Sequence, residues 1–189
     1  MRVRAERPAD HAAVAEVHRA AFGDHGATVA DLTDALRNAG TAASVGGKGS
    51  DELSLVAEDD GTVVGHVMFT RSLLDAPRRL VEVRVLSPLG VAPTHQGRGV
   101  AAALVRYGLR LLATGPVPVV FLEGPPDYYA RFGFVAGRPL GFRKPSLRIP
   151  DAAFQALRLP AYEPWMTGTL VYSPVFWEHD AVGLRDPDK

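Results

Sequence analysis

"APTHQGRGVAAALV", residues 92–105, is a glycine-broken loop that runs straight into a helix-forming segment. A loop of this kind gathers several main-chain N–H groups around one point. The helix dipole adds positive potential there, so the place suits a phosphate or pyrophosphate. Gly97 and Gly99 matter because a Cβ would block close approach or forbid the required dihedrals, and Arg98 adds a cation. A bare G-x-G is, however, more often a tight strand-to-helix turn than a ligand site. The ligand has to be argued from what surrounds the loop.

Working outward, Val100 to about Ala113 reads as a helix with Ala101, Leu104, Val105, Gly108 and Leu112 on one face. "PVPVVFLEG" after it is a compact apolar strand, expected parallel to the strand before the helix because a loop–helix crossover joins them. Upstream, "LSLVAED", the turn Asp60-Gly61 and "TVVGHVMFTRSLL" read as a hairpin. "RLVEVRVLSPLGV" is a third strand, expected to be interrupted or bulged at Pro88 and Gly90. The N-terminal "MRVRAER" suits a short strand, followed by a proline and a capping Asp10. Helices are expected from about Ala9 to Phe22 and from Val29 through Leu36 to a stop at Gly40, and "SVGGKGSDE" is expected to be a polar surface loop. Downstream, "PPDYYARFGF" predicts a short helix ending at Gly133, and "AAFQALRL" and "TGTLVYSPVFW" predict antiparallel strands that close the sheet.

The expected architecture is one α/β (α+β) domain over residues 1–189. Its mixed, mostly antiparallel sheet is flanked by helices and splayed at the strands around 81–91 and 117–123. The core spans about 1–137, and a cleft-shaping C-terminal segment spans about 138–189. With 21 basic and 21 acidic residues, no net field recruits nucleic acid or an acidic membrane. No cysteine is present, which removes disulfides and thiolate chemistry and is compatible with a cytoplasmic setting. The six histidines are scattered without ligand spacing, so no metal is expected. No apolar run approaches a membrane span.

Two ligands compete for the loop. Gly97 to Ala102 fits the dinucleotide pattern G-x-G-x-x-A, with Glu123 ending the next strand about where a ribose-binding acid belongs. Against it, "PTHQ" intervenes between strand and first glycine, and too little regular α/β pattern follows for a doubly wound sheet.

The other ligand is coenzyme A. "LGVAPTHQGRGVAAALV" resembles the acyl-CoA site of the GNAT superfamily of N-acyltransferases, whose pattern is [Q/R]-x-x-G-x-[G/A], with Gln96, Gly99 and Ala101 on its three specified positions. "YYARFGF" resembles the family's Tyr-x-x-x-Gly-Phe element, in the expected order after the next strand. Together with the long tail, it is similar to a bacterial branch of uncharacterised acetyltransferases.

The resemblance implies direct attack of a primary amine, of a small molecule or a peptide, on acetyl-CoA as co-substrate. It implies a cradle of Gln96, Gly97, Arg98, Gly99, Val100 and Ala101. It further implies that Leu89, Gly90 and Val91 line the pantetheine arm and offer an oxyanion N–H, with Tyr129 protonating the leaving sulfur. The base is left open between Glu82, which Arg84 or Arg79 would pair, Glu123, His66 and a water chain. The family's usual strand glutamate and asparagine are missing, which keeps a non-catalytic acyl-CoA binder or sensor in view. The dinucleotide oxidoreductase stands behind it. A homodimer is also in view, with neither nucleic acid nor membrane as partner.

Overall fold

The computed structural model describes residues 1–43 and 53–183, so the polar loop expected at 44–52 lies outside the described residues. The chain forms two compact units, each taken by itself: residues 1–70 with 86–111, and residues 71–85 with 112–189.

In the first unit, β1 (Arg2–Ala5) pairs antiparallel with β2 (Leu53–Asp59), and β2 pairs antiparallel with β3 (Thr62–Asp75). The hairpin turn is made by Asp60 (φ 47°) and Gly61 (φ 77°), both in the left-handed region that matches the strand twist. Three helices belong here: α1 (His11–Ala21), α2 (Gly26–Ala43) and α3, which begins at Val100 and ends at Ala113. Helix α1 buries Val14, Val17 and His18, one stripe at helical spacing. Helix α2 runs past Gly40, the expected stop, because a single glycine costs a helix only about 1 kcal/mol. Asp10 does not cap α1 through its side chain. It accepts from the Arg7 N–H at 2.7 Å and from both terminal nitrogens of Arg4.

Neighbouring residues on β3 show what covers each sheet face. A Cβ on Gly65 would sit 2.8 Å from Val100 of α3. His66, one residue on and pointing to the other face, hydrogen-bonds His18 of α1. Covered on both faces, β3 is buried without a break from Val64 to Thr70.

Strands β3 and β4 (Leu80–Val91) are hydrogen-bonded neighbours. Pro88 and Gly90 do not end β4, which continues through both.

In the second unit β4 pairs parallel with β5 (Val119–Glu123), with the register confined to Arg84↔Val120 and Val85↔Phe121. β5 pairs antiparallel along its length with β8 (Phe154–Arg158), which also takes β6 (Val135–Ala136). β9 (Gly168–Val171) pairs antiparallel with β3 and parallel with β7 (Phe142–Arg143). Among the registered pairs only β4–β5 and β7–β9 are parallel, which is not a doubly wound sheet. Phe121 meets Phe142 edge-on at 4.9 Å and stacks on Phe154 at 5.7 Å, and all three rings are buried. Short helix α4 (Pro126–Tyr129) leads through a turn to Gly133 at φ 89°, the expected stop. The strand expected across "TGTLVYSPVFW" ends at Val171, and Pro174 opens helix α5 (Pro174–Glu178) instead.

Candidate functional site: an anion cradle and two sets of proton-bearing groups

The cradle is built entirely within the first unit. As β4 ends, the Ala92 N–H donates to the Val64 carbonyl at 2.9 Å and anchors the exit. One tight turn (Pro93–His95) follows, and Gln96 returns to extended backbone. Its side-chain Nε2 donates to the Val91 carbonyl at 3.0 Å. Gly97 and Gly99 then take φ of 71° and 83°. Both glycines are needed for their backbone, including Gly97, which the acyl-CoA pattern leaves unspecified. No atom lies within 4 Å of a Cβ built on either, so the space before them is open. The helical ladder begins with Ala103 N–H to the Gly99 carbonyl at 3.0 Å. The N–H groups of residues 97 to 102 stand ahead of it, at the positive end of a 14-residue helix. Such a loop fits a pyrophosphate. Leu89 is half-buried, and Gly90 and Val91 are buried, on the strand leading into it.

The second unit holds Tyr129, Glu82 and Glu123. Tyr129 is buried, and a Cβ on Gly124 would meet its ring at 2.5 Å. The glycine of "LEGPP" therefore makes room for the ring. Burial, with Tyr128 adding to it, pushes the Tyr129 phenol up to about 12. It is therefore protonated throughout the physiological range, though a weaker acid than an ordinary phenol. Tyr128 is half-buried under the Arg131 guanidinium, 4.6 Å from its ring, as expected of a packing aromatic.

Glu82 is bound by Arg71 Nε at 2.8 Å and Arg84 Nη1 at 3.0 Å. Of the two expected partners Arg84 is the one that pairs, while Arg79 lies over Trp165, 5.4 Å from the ring. Glu123 accepts from the Tyr172 hydroxyl at 2.6 Å. Burial raises its pKa, against the lowering effects of that bond, the Gly183 main chain and Arg148. Sequence reading missed Tyr172, because the partners are 49 positions apart.

His66 turns out to be one member of a buried chain with His18, Ser54, Glu6 and Arg37. The available signal for His18 was its place on the apolar stripe of α1. Among the described residues no group of three or more His, Asp or Glu is arranged to hold a metal ion, and no helix is long and apolar enough to cross a membrane.

The family model described as acetyltransferase (GNAT) domain matches residues 2–137. The chain belongs to the GNAT acetyltransferase family. Among solved structures, this GNAT protein is similar to YhbS from Escherichia coli, a GNAT family N-acetyltransferase in complex with CoA. The two share 29% identity over 93% of this chain and 91% of that one, with a TM-score of 0.77. It is also similar to a GNAT family acetyltransferase from Brucella melitensis in complex with acetyl-CoA, with 32% identity over 93% and 97% of the two chains and a TM-score of 0.69. A curated relative, the uncharacterized N-acetyltransferase YjhQ of Escherichia coli (strain K12), is 39% identical over 82 residues, 43% of this GNAT chain. That match spans 45% of YjhQ, less than half its length.

Proposed function

We propose that this GNAT protein is an N-acetyltransferase that moves the acetyl group of acetyl-CoA onto a primary amine, of a small molecule or a peptide, by direct attack. The observation that carries the proposal is the loop from Gln96 to Ala101. Its two left-handed glycines open onto free space at a helix N-terminus, and the relatives with the same fold were solved with CoA and acetyl-CoA.

Acetyl-CoA supplies the activated acyl group as a thioester. The N–H groups of Gly97, Arg98, Gly99, Val100 and Ala101 hold its pyrophosphate, with the Arg98 side chain adding charge. Gln96 holds the loop to the strand through the Val91 carbonyl. Leu89, Gly90 and Val91 take the pantetheine arm, and a main-chain N–H among them receives the charge that develops on the acyl oxygen. Tyr129, protonated at every working pH, gives its proton to the departing sulfur. Of the two carboxylates, Glu82 has both oxygens on guanidinium groups. Glu123 is raised by burial and bonded to a hydroxyl rather than to a guanidinium.

The test is a thermal shift with acetyl-CoA, paired with thiol release from acetyl-CoA over a panel of primary amines. Saturating acetyl-CoA at about 100 times its Kd should stabilise the protein by about 2.7 kcal/mol. Gly99→Glu, with room for its Cβ but strained at φ 83°, should lose that stabilisation. Stabilisation by NAD instead of acetyl-CoA would sink the reading, and binding without turnover of any amine would leave an acyl-CoA sensor.

A further inference from the structure

The most shielded carboxylates of the first unit come with a guanidinium. Glu6 is paired with Arg37 at 2.7 Å, and Asp10 with Arg4 at 2.6 Å. Glu123, the last residue of β5, departs from that pattern. Among the described residues its hydrogen-bond donors are neutral: the Tyr172 hydroxyl at 2.6 Å and the main-chain N–H of Gly183. A carboxylate drawn out of water without a cation is unfavourable, and such groups are normally paired. Glu123 also has acceptor capacity left, because a carboxylate offers about four lone-pair sites and these donors take two.

The two donors fix the carboxylate in one orientation. Arg148 donates to the Val182 carbonyl from Nε at 3.2 Å and from Nη2 at 2.8 Å. The Gly183 N–H belongs to the same planar peptide group, so this grip aims it at Glu123. Val182 is buried, and a Cβ on Gly183 would stand 2.8 Å from the Arg148 main chain. On the other side, the Tyr172 ring is held 5.0 Å from that of buried Phe176. Arg148 itself is engaged by Val182, by the Trp177 ring at 5.9 Å and by Asp180 at 4.0 Å, and it acts on Glu123 through space.

The carboxylate is open to approach. Glu123, Gly124 and Gly183 are each half-buried, and residues 125–127 beside them are exposed. Gly124 is pinned by its N–H on the Ala153 carbonyl at 3.0 Å and by Gln155 Nε2 on its own carbonyl at 2.9 Å. The Tyr129 ring packs against Gly124. A cation at Glu123 would therefore sit one residue along the chain from the backbone that carries the sulfur's proton donor, all within the second unit.

We propose that Glu123 is the acceptor-recognition residue, binding the incoming amine as an alkylammonium, with Tyr172 and the Gly183 N–H as positioning groups. The inference rests on the acyl-transfer reading and narrows its primary amines to aliphatic ones. An ammonium brings the missing charge and three N–H donors for the open acceptor sites. Alkyl amines, like a lysine side chain, are cations at neutral pH. Aromatic amines are neutral there and gain nothing from the carboxylate. Once held, the ammonium sheds one proton to the adjoining water, and the free amine attacks.

A ¹³C-carboxyl titration of the intact parent tests this, with propylammonium chloride as probe and with propanol and sodium chloride as neutral and ionic controls. Burial holds Glu123 above its ordinary range, and a bound cation favours the charged form. Propylammonium should therefore lower the Glu123 midpoint saturably, while the controls leave it in place. An unmoved Glu123, or a shift that sodium chloride reproduces, overturns the proposal. So does a rise in Arg185→Gln as large as the probe's fall, which would show that the chain supplies its own cation. In turnover, Glu123→Gln should raise the KM for aliphatic amines roughly 10- to 100-fold, the worth of a charged hydrogen bond. The acetyl-CoA KM and the KM for aniline should stay as they were, and equal effects on both amines overturn the assignment. If propylammonium lowers Glu123 but no amine releases thiol, the acyl-transfer reading fails and takes the acceptor role with it. If thiol is released and Glu123 does not respond, only the Glu123 assignment fails.

Discussion

The Gln96 side-chain amide donates to the main-chain carbonyl of Val91 at 3.0 Å, tying the glycine loop to the last residue of β4. The glutamine of the acyl-CoA pattern therefore works on the protein's own backbone. Gln96→Ala should cost about 1 kcal/mol of stability, measured by denaturant unfolding. It should also weaken acetyl-CoA affinity, because residues 97–101 lose their fixed register. Gln96→Glu should be worse, since a carboxylate would face a carbonyl oxygen.

Gly108 reverses the usual effect of replacing a helix glycine. In a helix interior, glycine to alanine usually stabilises by about 1 kcal/mol. Here a Cβ would meet the buried Phe69 ring at 2.1 Å. Overpacking costs about 1–3 kcal/mol, so Gly108→Ala should lower the Tm.

The buried histidines set an acid limit on stability. His18 and His66 both lie below their unfolded value near 6.5, His18 at about 3, with burial as the main cause. Between those values the unfolded chain binds protons that the folded one refuses, so stability falls as pH drops from about 6.5 toward 3. His18 contributes up to about 1.4 kcal/mol per pH unit in that window, and His66 a loss of the same sign below about 6.5. Glu6, depressed when folded, adds a further loss below about pH 4.5. Urea titrations at pH 7, 5.5 and 4.5 should show this fall, and His66→Gln should flatten its upper part.

Tyr172→Phe removes the hydroxyl that donates to Glu123. That bond lowers the pKa of Glu123 against burial, so the carboxyl should titrate still higher in the variant. A ¹³C-carboxyl titration reads the change directly. Stability at neutral pH should fall by about 1.5–3 kcal/mol, the range for a hydrogen bond to a charged group. A Glu123 titration that does not move would show that the tyrosine is only packed there.

What was legible in the sequence was local. The Asp60-Gly61 turn, the helix after Gly99 and the stop at Gly133 follow from dihedral preferences within a few residues. The three specified cradle positions, Gln96, Gly99 and Ala101, likewise lie within one short stretch. The helix at Pro174 was misread because alternation in "TLVY" was extended past Ser173-Pro174, itself a helix-start signal. The groups that set proton positions were hidden for another reason. His18 and His66 are 48 positions apart, and how near His18 comes to Gly90 depends on how α1 lies against β4. Periodicity marks a buried face but not what a polar residue on that face will meet.

The pairing of β5 with β8 has a practical consequence. The family match stops at residue 137, whereas all five residues of β5 find their antiparallel partners at Phe154–Arg158. A chain ended at that boundary would keep the parallel contact at Arg84 and Val85 and leave the other flank of an apolar strand, Val119 to Glu123, as a bare sheet edge. Such an edge is a template for self-association, so the shortened protein should be recovered as aggregates. The residues beyond 137 thus guard solubility.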